Sequence, residues 1–507
     1  MDPSRYSTRL IALKLAYLGK RYGGFEFTQN GAVPTIEEEL WKALVRSCLI
    51  WPEKPDEVDF TPWEYSKCGR TDRGVSAFGQ VIGIRVRSNR PLPPKPEDTV
   101  TEDVEMAEAD EAAGGKAKET KKPNRNNKKP EWDHIADEIN YPKILNRLLP
   151  PDIRVLAWAP TLPENFSSRF SCRERQYRYF FTQPAFCPVP SSAAVPGKEG
   201  EGWLDIEAMR TAAKMYEGVH DFRNFCKVDG GKQISVFTRR IFEADIVEVE
   251  DVGSALPFLG NTDFKPSHLK DGKFPKVYYF HVRGSAFLWH QIRHMVAMVF
   301  AVGQGLEKPS IITDLLDVTK HPRKPNYVMA DDVPLVLWDC IFPKLDETNA
   351  INGTDVHDPE VEADLNMQDS MDWVWLGEDL PSNLHGSSGL ADQLWEYWRE
   401  KKMDELLAGQ LLNAVATKAN LKRQLAGPET TARYGGPKSQ RVHDGGNSAR
   451  ATGAYVPVLK RQLMPSPQEI NEKWAQSRGF KDSAELAATK NWRSVIKANK
   501  AANKGAE

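Results

Sequence analysis

The chain has no CxxC pair, and its six cysteines (Cys48, Cys68, Cys172, Cys187, Cys226, Cys340) lie far apart in 507 residues. That spacing speaks for reduced thiols in a cytosolic or nuclear protein, against a disulfide framework and against a cysteine zinc site. No apolar run approaches the length of a membrane span. The first residues, MDPSRYSTRLIALKLAYLGK, hold a short apolar run broken by Lys14 with no cleavage-site pattern after it, so they read as a strand and not as a signal peptide. Phosphate-loop and dinucleotide fingerprints are also missing. The stretch His290–His294, HQIRH, has Gln291 where a zinc hydrolase of HExxH type carries its general-base glutamate, and no third ligand is evident, so hydrolytic zinc chemistry is not expected.

Apolar content is low as well. Hydrophobic residues make up 40% of the chain and charged ones 27%, with a mean hydropathy of -0.53, so part of the chain is expected to be disordered while 10% aromatics support a sizeable core elsewhere. The net charge of -2 averages over opposite segments. Asp346 to Glu405 holds 16 acidic and 3 basic residues, and Leu411 to Glu507 holds 17 basic and 7 acidic.

What is present is concentrated in Lys67 to Gln80, KCGRTDRGVSAFGQ, with one carboxylate, three cationic side chains and three glycines. Gly69 and Gly74 bracket a sharp loop, and Val81, Ile82, Ile84 and Val86 lead out of it as a strand. Such a loop presents Arg70 and Asp72. Taken alone, it fits either a nucleophile for chemistry on a polyanion or a turn-capping Asp beside solvated arginines.

Around that loop the elements alternate without a regular strand-helix period. Leu10 to Tyr17 reads as a strand running into the turn GKRYGGF, whose Lys20 and Arg21 suit either a phosphate backbone or a solvated hairpin. Thr35-Ile-Glu-Glu38 reads as a capping box opening a helix to Arg46. Residues 90–130, rich in Pro, Glu, Ala and Lys, read as a disordered insertion. A helix at Tyr141–Leu149 and a strand at Ile153–Ala159 follow. Next comes a strand at Arg175–Phe181 that sets Arg175, Tyr177, Tyr179 and Phe181 on one face, suited to packing or to base stacking. After a Pro/Ser/Gly linker at Pro184–Gly202 come a helix at Leu204–Glu217 with Asp205 as N-cap, strands at Thr238–Glu250 and Val277–Gly284, and a variable loop at Asp251–Pro275. A helix ending at Gly303 has Ile292, Met295, Val296 and Val299 as its buried stripe. A last strand is expected within Val333–Phe342 and a helix at Ala391–Val415, with a flexible basic tail behind it. The reading is an α+β fold of two similar halves, 1–183 and 184–343, then an acidic linker at 344–390 and an extension at 391–507.

Four motifs, LAYLGKRYGGF, KCGRTDRGVSAFGQV, RFSCRERQYRYF and FLWHQIRHMVAMVFAVGQG, followed by PLVLWD, stand in the order seen in the TruA-type tRNA pseudouridine synthases. From about Thr8 to Phe342 the chain resembles that family, and most closely its eukaryotic anticodon-loop branch. The resemblance implies two RRM-like α/β halves sharing one mainly antiparallel sheet with a central basic RNA-binding cleft. It implies conversion of uridine to pseudouridine in the tRNA anticodon stem-loop, at positions 38 and 39, with no cofactor and no metal. The alternatives are the same chemistry at other tRNA or small nuclear RNA positions, and a catalytically silent RNA-binding protein.

By position, Asp72 would be the essential aspartate, Arg70 the loop arginine that fills the target's place, Tyr177 the aromatic packed on uracil, and Arg293 the ion-pair partner that holds the Asp72 pKa down. Lys67, Lys20, Arg21, Arg169, Arg175, His220 and Gln291 would be further RNA contacts. The branch also implies a homodimer, and residence in nucleus or cytoplasm. Two positions depart from the family pattern, Trp289 and Arg73. Similarity beyond Asp346 is confined to the region of Tyr455 to Gln462.

Overall fold

The computed structural model describes residues 2–29, 31–92, 132–188, 200–250, 275–344, 368–378, 380–386, 389–418, 440–492 and 494–496. Most of the expected insertion, the 251–274 loop and most of the acidic linker fall outside them.

One large sheet dominates. In chain order its strands are β1 (Ser7–Tyr17), β2 (Ser66–Lys67), β3 (Ser76–Ser88), β4 (Ile153–Ala159), β5 (Glu174–Gln183), β6 (Gly218–Asp221), β7 (Thr238–Glu248), β8 (Lys276–Gly284), β9 (Leu335–Ile341) and β10 (Val374–Trp375). Their spatial order is β10-β4-β1-β3-β9-β5-β8-β7-β6, with β2 paired to β3. Every pairing is antiparallel except that of β3 with β9, where Ser76 faces Val336 and Ala77 faces Leu337 in parallel register.

Helices cover the sheet because their sequences carry one apolar stripe or are apolar throughout. The helix α1 (Ile36–Arg46) buries Ile36, Leu40, Trp41, Ala43 and Leu44. Its Thr35 side chain accepts from the Glu38 backbone N–H at 3.2 Å, but the expected reciprocal bond is replaced: the Glu38 carboxylate accepts from Lys42 at 2.8 Å. The next two helices, α2 (Tyr141–Asn146) and α3 (Ile206–Lys214), are shorter than their sequence patterns suggest; Asp205 caps the latter as expected. In α4 (Gln291–Gly303) every residue is buried, not only the expected stripe. The short α5 (Ile311–Leu316) follows.

Two apolar cores result. Strands β1, β3 and β4 with α1 and α2 enclose one, and β5, β7 and β8 with α3, α4 and α5 enclose the other. Although β5 precedes the linker, its Tyr179 and Phe181 lie in the second core. Tyr177 packs against both cores.

Beyond β9, α6 (Leu390–Lys418) is a single long helix, and a hairpin β11 (Gln440–Val442) and β12 (Arg450–Thr452) precedes α7 (Pro467–Ser477) and α8 (Ser483–Ala488). The expected flexible tail is, over 440–492, folded. Val458 is fully buried in the second core, the Val458 backbone N–H and the Tyr455 hydroxyl both donate to Glu307, and Ser466 and Glu469 form a capping box. Apolar residues spaced among the basic ones and buried in the structure, Val458, Ala475 and Leu486, were the signal.

Gly79 marks the tightest point of the β3–β9 joint: a Cβ there would lie 2.6 Å from the Asp339 Cα and 2.7 Å from the Trp338 carbonyl oxygen. Backbone on both sides cannot yield cheaply. Gly79→Ala should therefore destabilise the fold by about 1–3 kcal/mol, whereas Gly453→Ala, with open space around it, should be near neutral in thermal unfolding.

Candidate active site

The loop between β2 and β3 is held from below by groups that accept and donate on demand. Buried Gln80 clamps Gly69 with two bonds, its amide nitrogen donating to the Gly69 carbonyl at 2.8 Å and its oxygen accepting the Gly69 N–H at 3.1 Å. The Tyr17 and Thr71 hydroxyls meet at 2.7 Å, and the Thr71 carbonyl accepts from the Phe25 N–H. Gly74 turns at φ +80°, where a side chain would strike Asp332 at 2.5 Å. Glycine is required there by conformation and by space alike. This frame aims Asp72 at the start of α4.

Two nitrogens meet the Asp72 carboxylate. Trp289 Nε1–H donates to one oxygen at 3.2 Å, and His290 Nε2 lies 3.3 Å from the other. His290 can reach because it sits at φ +60° just before α4. The expected direct pair of Asp72 with Arg293 is not formed within 4 Å. Arg293, itself buried, donates through Nε to the Ala330 carbonyl at 2.8 Å and stands 3.6 Å from Asp332. Its charge still reaches Asp72. Burial pushes the Asp72 carboxyl above the ordinary range, and Arg293 and the Trp289 bond pull it back only in part. The expectation of a depressed pKa is thus reversed, since half-burial outweighs a cation that is not in contact.

Histidines here are neutral. Burial, with Arg293, Lys227 and Lys324 nearby, brings His290 down to about 4 and, with Lys324 the largest cation effect, His294 to about 3. The contacts assign one tautomer: His294 Nδ1–H donates to the His290 carbonyl and its Nε2 accepts from Lys324, while His290 Nε2 stands 3.3 Å from the Asp72 carboxylate. Lys227 and Lys232 stand 4.6 and 5.3 Å from the Trp289 ring centroid and bring two further cations to the site.

The other expected residues divide. Tyr177 lies under the loop, partly buried, its ring edge-on to Phe287 at 5.3 Å. Arg70 is half exposed and pairs with Glu26 at 3.1 Å; Lys67 pairs with Glu37 at 2.6 Å and Glu26 at 3.1 Å. Lys20 is exposed, and Arg21 beside it binds Asp152. Arg169 is exposed beside Phe170. His220, on the sheet's outermost strand β6, bonds the Glu217 carbonyl.

Two expectations fail. Gln291 is buried and bonds the Leu288 N–H at 2.8 Å, so it finishes the helix start instead of meeting RNA. Arg175 spends its guanidinium on the carbonyls of Cys68, Cys172, Ser285 and Arg169, so it braces the loop from within. Sequence reasoning missed Trp289, Lys227, Lys232 and Asp332. Only Trp289 carried a signal, as a departure beside a histidine.

Because both histidine pKa values are depressed, the unfolded chain takes up protons below about 6.5 while the folded one does not. Stability should fall as pH drops from there, and NMR titration should place the two midpoints near 4 and 3. A midpoint near 6.5 for either ring would contradict the burial that keeps it neutral.

Comparison with known proteins identifies the family. A family model described as tRNA pseudouridine synthase matches residues 212–343. The mouse protein named tRNA pseudouridine(38/39) synthase is 40% identical over 341 residues, 67% of this chain and 57% of that protein. Its Saccharomyces cerevisiae namesake is 37% identical over 346 residues, 68% of this chain and 60% of that protein. The chain thus spans under two thirds of the length of these two relatives. For a Caenorhabditis elegans protein named probable tRNA pseudouridine synthase tag-124, 32% identical over 351 residues, the covered share is 68% of this chain and 70% of that protein. The chain belongs to the tRNA pseudouridine synthase family.

Proposed function

We propose that this chain isomerises uridine to pseudouridine at positions 38 and 39 of the tRNA anticodon stem-loop, with Asp72 as the essential carboxylate and no cofactor. The observation that carries the reading is the Asp72 carboxylate itself, half-buried on a clamped loop, bonded by the Trp289 N–H, 3.3 Å from the neutral His290 ring and within the field of a buried arginine. The position assignment comes from the names of the mouse and yeast relatives.

The reaction breaks the N1–C1′ bond, turns the uracil while it stays bound, and joins C5 to C1′. No electrons or energy-rich groups are exchanged. Attack at C1′, addition at C6 and proton abstraction from the ribose each begin with Asp72 ionised, and a carboxyl whose pKa is raised is a better base and nucleophile once ionised. Tyr177 would pack on the uracil and keep the detached base, and Arg70, released from Glu26, would fill the stack the nucleotide leaves. Phosphates would lie along a basic cleft between two RRM-like halves, met by Lys20, Arg21, Arg169, Lys227 and Lys232.

Asp72→Asn should fold and bind tRNA yet form no pseudouridine in a position-resolved carbodiimide assay. Wild-type activity should fall on acidification with a midpoint above the ordinary aspartate value, because protonation removes the reactive form. Substantial turnover by the Asn variant removes Asp72 from its role, and loss of modification only outside the anticodon loop in cells lacking the protein removes the position assignment.

The reading includes a homodimer. In support, α6 exposes Leu407, Leu411 and Val415 at four-residue spacing, each more than 60% accessible, and a second copy would cover the same stripe. Light scattering should give twice the chain mass of 57.2 kDa. A Leu407→Glu, Leu411→Glu double variant should run as a monomer, and a monomeric wild type at micromolar concentration would exclude the dimer.

A further inference from the structure

The fold brings together three cysteines that the sequence keeps 104 or more positions apart: Cys68 just after β2, Cys172 ahead of β5, and Cys340 on β9. Their sulfurs all lie within 4.8 Å of one another, and the residues are 5%, 4% and 0% exposed. Cys340 faces Arg175 in the β5–β9 register, and the half-buried Arg175 guanidinium bonds the Cys68 and Cys172 carbonyls beside the cluster. The recorded partners of that guanidinium are four backbone carbonyls and no carboxylate.

Ordinary core packing accounts for a buried thiol. It does not account for three sulfurs converging within 4.8 Å of one another beside a half-buried cation that has no carboxylate among its contacts, since a partly desolvated charge is costly unless balanced. The groups able to supply the missing negative charge are the thiols. One thiolate balances the guanidinium; with all three sulfurs ionised as metal ligands two negative charges remain, which a divalent cation cancels. An all-sulfur set excludes magnesium and calcium, which take oxygen ligands, and selects a thiophilic ion. Zinc–sulfur bonds of about 2.3 Å place the sulfurs about 3.8–4.0 Å apart, so the present spacing needs a contraction of less than about 1 Å.

We propose that Cys68, Cys172 and Cys340 form a divalent thiophilic-metal site, fitted best by zinc, with Arg175 as its charge-balancing neighbour. The ion would tie the residue preceding Gly69 to β9 and to the lead-in of β5, fixing the stem of the Asp72 loop without touching the chemistry. This reverses the expectation drawn from the absence of CxxC pairs, because the ligands converge through sheet pairing and not through local spacing. The site is independent of the activity proposed above.

The test uses the full chain, purified under reducing conditions without chelator. Elemental analysis should find about one zinc per chain, and exchange with cobalt(II) should give a thiolate-to-cobalt charge-transfer band. Both should disappear in Cys172→Ser and Cys340→Ser and persist in Cys187→Ser, which alters a thiol outside the cluster. Far-UV circular dichroism checks that the variants fold. Should they not, zinc added to chelator-stripped wild type must raise its unfolding midpoint and restore the metal count. A folded wild type with less than about a tenth of an equivalent of zinc after loading overturns the proposal. So does a band that survives in Cys172→Ser, or an intact mass two hydrogens lighter, which would mean a disulfide in the cluster instead.

Discussion

Removing a carboxylate from water raises its affinity for a proton, and the architecture around Asp72 manages that cost without abolishing it. A contacting arginine would neutralise the oxygens so well that little reactivity remained. Here the contacts are neutral groups, the Trp289 N–H and the His290 ring, while Arg293 acts through space and is anchored by Ala330 and Asp332. The cationic field keeps the carboxylate ionisable, and the neutral contacts fix its direction. Burying α4 on every side makes this possible, since only a helix start embedded in the core can hold two neutral histidines among lysines.

The same economy governs the loop's cations. Glu26 accepts from both Lys67 and Arg70, and Glu37 also accepts from Lys67. Lys67, mostly buried between two carboxylates, belongs to the frame. Arg70, half exposed and held by one shared, exposed carboxylate, is cheaply released, because such pairs contribute little net stability in water. A phosphate or a vacated base stack can therefore recruit Arg70 and leave Lys67 in place.

What the sequence made legible was local. Strand β4 stands where its run of apolar residues places it, Asp205 caps α3, and Gly303 ends α4, because these depend on neighbours within a few residues. The loop's glycines and Asp72 were legible for the same reason. Long-range pairing was not. Nothing near Arg175 announces that four carbonyls converge on it, and a glutamine between two histidines gives no sign that it will finish a helix start. Trp289 and Asp332 reach the site only once β9 has brought the end of the second half against β3. The pKa of Asp72 followed from burial, a property of the assembled fold that no motif encodes.

The place of β9 also sets an order of assembly. Strands β1, β3 and β4 come from the first third of the chain and can pair as soon as they are made, yet the free side of β3 waits for a strand near residue 340. Until then an apolar sheet edge, with the Asp72 loop above it, stands open to any other extended chain. On the ribosome, at ordinary elongation rates, that wait lasts on the order of ten seconds or more. A nascent chain of this design depends on shielding during its own synthesis, and its site becomes complete only when the centre of the sheet closes.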